Sequence, residues 1–375
     1  MTIPAYMAAR KHSMIAVLKG LVLRESPTEA KSAVDACTRH FLGLMTGLRR
    51  DVLRIPQDEI GDLYAVGFPR LTLGADRPIL VLAHSDTVWP LGTASRRPWR
   101  LAGRKAYGPG ALDMKAGLVI SLFAFRALAE LKRHACRPAV LFINSAEETG
   151  HPSSSRWITR FARRAACVLC LEPCLPGGAL KVRRKGRLVV RLTSRGVSAH
   201  AGAPERGVSA VEELLHQLDF LRSLRTGGTT MNVGLIQGGT KANVVPDRAA
   251  AILDFRFWTR REEARILRRL KAVAPGIPGA RVSCAVESRV PPLEPNRGSR
   301  ALFSRAARVA GRLGLTLRSG QTGGGSDASL AASLGLPTLD GLGPDGDGLH
   351  AENEHVLVPS MVERAGLLAE LLAEL

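Results

Sequence analysis

The chain has 375 residues, 45% of them hydrophobic, with a formal net charge of +20. This length suits about two domains, and the composition supplies a full apolar core. The basic residues are scattered and only 5% of the chain is aromatic, so the charge points to a basic surface suited to anionic substrates and away from a nucleic-acid binder.

Residues 14–23 cover about half a bilayer span and include Lys19, so they are expected to form a helix and no membrane anchor. No charged segment followed by an apolar stretch and a small-residue cleavage site is found, so no secretory signal is expected. Cys37, Cys136, Cys167, Cys170, Cys174 and Cys284 follow no regular framework. A reducing, cytoplasmic location is therefore expected. Cys167, Cys170 and Cys174 are close in sequence, but 166–171 is an apolar run in which a strand sends Cys167 and Cys170 to opposite faces. They read as small buried residues.

Continuous apolar runs at 79–83, 139–143 and 166–171 have strand length and suit central strands covered on both faces. Between the first two, 114–132 predicts a helix. This is an α/β layer with a largely parallel sheet. Pro176-Gly177-Gly178 signals a break. Beyond it the pattern gives a strand at 187–193, a helix at 207–224, strands at 231–236 and 249–257, a helix at 262–273 and a strand at 282–286. That order, β-α-β-β-α-β, predicts an inserted ferredoxin-like α+β domain. A helix at 301–313, a strand at 337–342 and a helix at 361–375 complete the chain. The expected organisation is a discontinuous catalytic domain, 1–177 with 290–375, and an inserted lid domain, 178–289.

Each of the three apolar strands runs into a residue type that binds metals: His84-Ser85-Asp86, Glu147-Glu148 and Glu172. Ligands bind beyond the carboxyl ends of strands in such sheets, so these side chains should converge. His84 and Asp86, two apart on an extended segment, point the same way. That suits a metal-binding imidazole with a carboxylate behind it. Asp113 precedes a helix in Gly108-Pro109-Gly110-Ala111-Leu112-Asp113, and taken alone it reads as an N-cap; with the other acids it reads better as a bridging carboxylate. Glu147 and Glu148 repel unless their roles divide, one on a metal and one free as a base. Taken alone they also fit the start of a helix. His350 lies in a Gly/Asp loop with His355 five residues on, and zinc needs imidazole as well as carboxylate.

His84-Ser85-Asp86-Thr87-Val88, Gly110-Ala111-Leu112-Asp113-Met114-Lys115-Ala116-Gly117, Glu147-Glu148-Thr149-Gly150, Glu172-Pro173 and Gly348-Leu349-His350 occur in that order. With these motifs the chain resembles the zinc aminoacylase and carboxypeptidase family, which includes glutamate carboxypeptidase, acetylornithine deacetylase and succinyl-diaminopimelate desuccinylase. The best-matched branch is glutamate carboxypeptidase. The resemblance implies two zinc ions per subunit, with cobalt or manganese as substitutes. It implies Asp113 as the bridge, His84 and Glu172 on one ion, and Glu148 and His350 on the other. It further implies Glu147 as general base, Asp86 orienting His84, and His200 in Gly196-Val197-Ser198-Ala199-His200-Ala201-Gly202 holding the oxyanion. Asn243, Arg289, Gly325 and Ser326 are implied substrate contacts. Arg289-Val290-Pro291-Pro292 departs from the branch's Arg-Pro-Pro, and His151-Pro152-Ser153 follows Gly150 where Ser is usual. The implied activity is amide hydrolysis at a C-terminal amino acid or an N-acyl amino acid beside a free carboxylate, by a homodimer joined through the lid. A deacylase or dipeptidase on the same metals is the alternative enzyme, and a basic nucleic-acid binder the alternative outside enzymes.

Overall fold

The structure is a computed structural model, and it describes residues 1–48, 50–71 and 77–375. The chain divides into two compact units. One comprises Met1–Val182, Pro295–Gln321 and Ser326–Leu375; the other comprises Arg183–Glu294 and Thr322–Gly325. The boundaries lie about five residues later than the sequence break suggests. Pro176-Gly177-Gly178 forms a tight turn inside the first unit, where Leu175 and Ala179 bridge across it.

The first unit is built on a six-stranded sheet. Its spatial order is Asp51–Ile55, Leu63–Phe68, Ala139–Asn144, Ile79–His84, Cys167–Cys170 and Thr338–Leu339. The first two pairings are antiparallel, and the remaining three are parallel. Only Thr338–Leu339 of the apolar run 337–342 pairs as a strand. Asp340 is buried and Gly341, with φ of 81°, turns the chain away. The antiparallel pair at one edge was not anticipated, because 51–55 is exposed along most of its length and carries no apolar run.

The parallel strands are buried on both faces. Ile79, Val81, Ala83, Leu141 and Ile143 join a core with the helices Ile3–Val22, Ala116–Glu130 and Val358–Glu374. The alternate residues turn the other way, where Phe142 meets Phe161 of the helix Pro152–Ala162 with ring centroids 5.4 Å apart. Two-sided burial explains why these strands are continuous apolar runs. No helix among the described residues is long and apolar enough to cross a membrane.

The second unit carries a four-stranded antiparallel sheet ordered Thr230–Gly238, Arg248–Phe257, Gly186–Arg195, Arg281–Val290. Leu188, Val190, Leu192, Leu253 and Phe255 form one apolar face, covered by Leu214 and Leu218 of the helix Ala210–Arg222 and Ile266 of the helix Arg260–Lys271. Ser209 caps the first helix, and Thr259 with Glu262 forms a capping box on the second. The connectivity and strand order are those of a ferredoxin-like layer.

Candidate metal centre

Register builds the site. His84 pairs with Asn144, and Leu82 with Cys170, so the carboxyl ends of three neighbouring strands lie level. His84 ends its strand, Glu172 lies two residues past its own, and Glu147 and Glu148 follow Asn144 on a turn closed by the Gly150 N–H donating to the Glu147 carbonyl at 2.9 Å. No helix starts at this pair; the nearest begins after His151, which caps Pro152–Ala162. Asp113 caps no helix either. Its backbone, at φ −113° and ψ 101°, is extended within a one-turn irregularity, and Lys115 is the cap of Ala116–Glu130.

The carboxylate of Asp113 stands between two imidazoles. Its Oδ1 lies 3.2 Å from His84 Nε2, and its Oδ2 lies 3.2 Å from His350 Nε2. His84 Nε2 also lies 3.5 Å from Glu172 Oε1, and His350 Nε2 lies 3.3 Å from Glu148 Oε2. Two ligand groups result: His84, Asp113 and Glu172, and Asp113, Glu148 and His350. In each, one ligand atom per residue lies within 4.8 Å of the others.

Asp86 sits behind the first group. His84 Nδ1 lies 3.0 Å from the Asp86 carbonyl and 3.4 Å from its Oδ1, so the backbone oxygen is the nearer partner. The Asp86 carboxylate also accepts the backbone N–H of Glu147 and of Glu148, each at 3.2 Å, and the Thr28 hydroxyl at 2.8 Å. One buried acid thus joins the His84 strand end to the Glu147-Glu148 turn.

Charge accumulates here. Burial pushes the Glu147 carboxyl well above its usual range, with Glu172 adding to the effect. Burial likewise raises Glu148 to about 6 and Asp327 to about 7. Burial opposes the protonation of His84, but Asp113, Asp86 and Glu172 outweigh it and hold the imidazole well above its ordinary value. His350 is pushed up to about 10 by its contacts with Asp113 and Glu148. Glu148 Oε1 is buried without any hydrogen-bond partner, a costly state for a carboxylate oxygen unless a cation faces it. Three carboxylates and two imidazoles in two groups are a donor set that accepts zinc, cobalt or manganese. The residues fit a pair of divalent cations.

Two contributors escaped the sequence reading. Glu354 is buried and accepts four hydrogen bonds, three of them from the backbone of the Asp113 loop. Its only signal is an acid four residues after His350. Thr28 lies far from Asp86 in sequence and has none. Asp327, the residue after Ser326, accepts from the Asn144 amide at 2.7 Å.

The remaining expected site residues belong to neither ligand group. Ser326 is buried and donates to Asp340 Oδ2 at 2.8 Å. Gly325 belongs to the second unit, where its carbonyl accepts from Arg184 at 2.7 Å. Within that unit His200 and Asn243 adjoin: His200 bridges Val244, and the Asn243 carbonyl accepts the Ala201 N–H at 3.0 Å. The Gly202 N–H donates to His200 Nδ1 at 3.0 Å, which leaves the ring hydrogen on Nε2. Arg289 Nε donates to the buried carboxylate of Glu263 at 2.7 Å, so a substrate carboxylate would compete with Glu263 for it.

The chain is similar to known proteins in sequence and in fold. The profile of "Peptidase family M20/M25/M40" matches residues 80–374. Carboxypeptidase G2 of Pseudomonas sp. (strain RS-16) is 30% identical over 310 residues, covering 79% of this chain and 74% of that protein. Succinyl-diaminopimelate desuccinylase of Delftia acidovorans is 28% identical over 326 residues, covering 80% and 83%. The fold matches aminopeptidase PepT of Bacillus cereus with a TM-score of 0.79 at 23% identity, over 97% of this chain and 98% of that one. It also matches the YXEP protein of Bacillus subtilis, described as a dinuclear metal-binding peptidase, with a TM-score of 0.72 at 15% identity over 98% of each chain. The chain belongs to peptidase family M20/M25/M40 and is a hydrolytic enzyme of the metallopeptidase and amidohydrolase type.

Proposed function

We propose that this enzyme uses two zinc ions to cut the amide bond of a C-terminal amino acid or an N-acyl amino acid. The observation that carries the reading is Asp113, whose two carboxylate oxygens each face a different imidazole at 3.2 Å. When bound, two divalent cations polarise the scissile carbonyl and bring the pKa of a water towards about 7. His84 and Glu172 would hold one ion and Glu148 and His350 the other, with Asp113 a member of both ligand groups. Glu147 adjoins these ligands, and no side chain among the described residues donates to its carboxylate. It takes the proton of the attacking water and delivers it to the leaving nitrogen. Asp86 keeps the His84 ring and the Glu147-Glu148 turn in register with each other.

His200, with its hydrogen on Nε2, is the proposed oxyanion donor, a contribution of about 3 kcal/mol in comparable sites. Asn243, Arg289, Gly325 and Ser326 complete the proposed substrate contacts. A homodimer joined through the second unit follows from the family likeness. The irregular spacing of the six cysteines supports a cytoplasmic location.

Carboxypeptidase and desuccinylase relatives match similar shares of the chain, so the leaving amino acid and the acyl group are settled by assay. Purified protein is given a panel of N-acyl amino acids and dipeptides, with added zinc and with chelator. Chelator-sensitive release of glutamate or aspartate supports the carboxypeptidase reading. Release of another amino acid moves the enzyme to the deacylases or dipeptidases. No turnover across the panel, in protein holding two ions, would overturn the proposed substrate class.

A further inference from the structure

Glu354 has no part in the mechanism above, yet its carboxylate accepts four hydrogen bonds beside the centre. The residue is 2% exposed. Its Oε2 accepts the Gly110 N–H and the Trp89 Nε1–H, each at 2.8 Å. Its Oε1 accepts the Leu112 N–H at 2.9 Å and the Asp113 N–H at 3.2 Å. The main chain answers with the Gly108 N–H donating to the Glu354 carbonyl at 3.4 Å.

Topology explains why this acid reaches that loop. Gly346–Asp347 pairs antiparallel with His355–Leu357, so residues 348–354 form a hairpin tip that carries His350 at one end and Glu354 at the other. The hairpin pairs in turn with Lys105–Tyr107, the strand that leads into the Asp113 loop. One side chain rooted in the His350 hairpin therefore grips three amides of the loop that presents Asp113.

We propose that Glu354 is a positioning residue that fixes Asp113 relative to His350 and so sets the affinity of the second metal position, formed by Asp113, Glu148 and His350. This rests on the two-ion reading. Selectivity follows from the framework. His84 and Glu172 extend from neighbouring strands whose register is set by the sheet, and they keep their places without Glu354. Asp113 and His350 stand on loops that Glu354 joins. The acid must be a carboxylate, because it faces donors on both oxygens and a carboxylate accepts only. Glu354→Gln preserves size but turns an NH2 group towards two N–H donors, whichever way the amide is flipped.

The test is titration of metal-free, full-length protein with zinc by calorimetry and with cobalt followed by visible absorption. The expected result is two ions in the unaltered protein. In Glu354→Gln the second should bind about 10–100-fold more weakly, the range found when an outer partner of a metal ligand is removed, and the first should weaken less, because Asp113 is the one ligand of its three that Glu354 holds. Should that variant fail to fold, Glu354→Asp carries the test, since a side chain one methylene shorter cannot reach all three amides, and the same selective loss is expected. Unchanged affinity for both ions overturns the proposal. So does an equal loss of both, which would make Glu354 a residue of the fold alone. Fewer than two ions in the unaltered protein overturns the two-ion reading itself, and this inference with it.

Discussion

The two halves of the centre share Asp113 but are built differently. His84 is 1% exposed and ends a central strand, and its partner Glu172 lies level with it by the pairing of two parallel strands. His350 is 50% exposed and stands on a hairpin tip with φ of 58°, an uncommon conformation for a residue other than glycine. Its partner Glu148 stands on a turn held through the backbone by Asp86. The first half comes with the sheet, whereas the second has to be assembled by outer contacts, those of Asp86 and Glu354. A framework of this kind keeps one ligand group fixed and leaves the other more exposed.

The strongest way to break the comparison is to remove what the halves share. Asp113→Ala should abolish tight binding of both ions and bring hydrolysis to background, measured by metal analysis after dialysis alongside an activity assay. One ion retained at unaltered affinity would show that Asp113 serves a single half. Next in size is Glu147→Gln, which changes neither ligand group. Turnover should fall about 10²–10⁴-fold, the usual contribution of a positioned base, with both ions still present. An active Glu147→Gln enzyme would refute the assigned base.

The contrast in burial gives a third prediction, on stability. In metal-free protein, His84→Ala takes a buried partner from Asp86, Asp113 and Glu172, and breaking such a pair typically costs about 3–5 kcal/mol. His350→Ala removes a half-exposed partner and should cost about 0–1 kcal/mol, as solvent-screened pairs do. Urea denaturation with metal removed checks both. Equal losses would erase the distinction between framework and assembled halves.

Much of this arrangement is legible in the sequence because two-sided burial writes itself as continuous apolar runs. The runs at 79–83, 139–143 and 166–171 mark the central strands, and the acids and histidine that end them mark where the sheet opens. The period switch after 178 likewise marks the second unit. What stays hidden is held by single polar contacts over long separations. Glu354 and Asp113 are joined by one hydrogen bond across 241 positions, and nothing in local periodicity records it. The edge strand Asp51–Ile55 is hidden for the opposite reason, since four of its five residues are exposed and alternation has no core to follow. Asp113 and the Glu147-Glu148 pair look locally like helix starts. Only their convergence with two histidines separates that reading from the one the structure displays, in which neither begins a helix.

The smallest effect on turnover is expected at Thr28, and it bears on how the halves are linked. Thr28 donates to Asp86 Oδ2 at 2.8 Å from a position 58 residues away, while the same carboxylate accepts the Glu147 and Glu148 amides. Thr28→Val keeps the shape and deletes one hydrogen bond to a charged group, a loss of about 1.5–3 kcal/mol of stability. Three contacts to Asp86 persist, from His84 and from the two amides, so both ions should stay bound and turnover should change less than in any variant above. If the second ion weakens selectively, Asp86 acts chiefly as the keeper of the Glu148 turn. If the first weakens instead, its main task is to hold the His84 ring, and the turn stands without it.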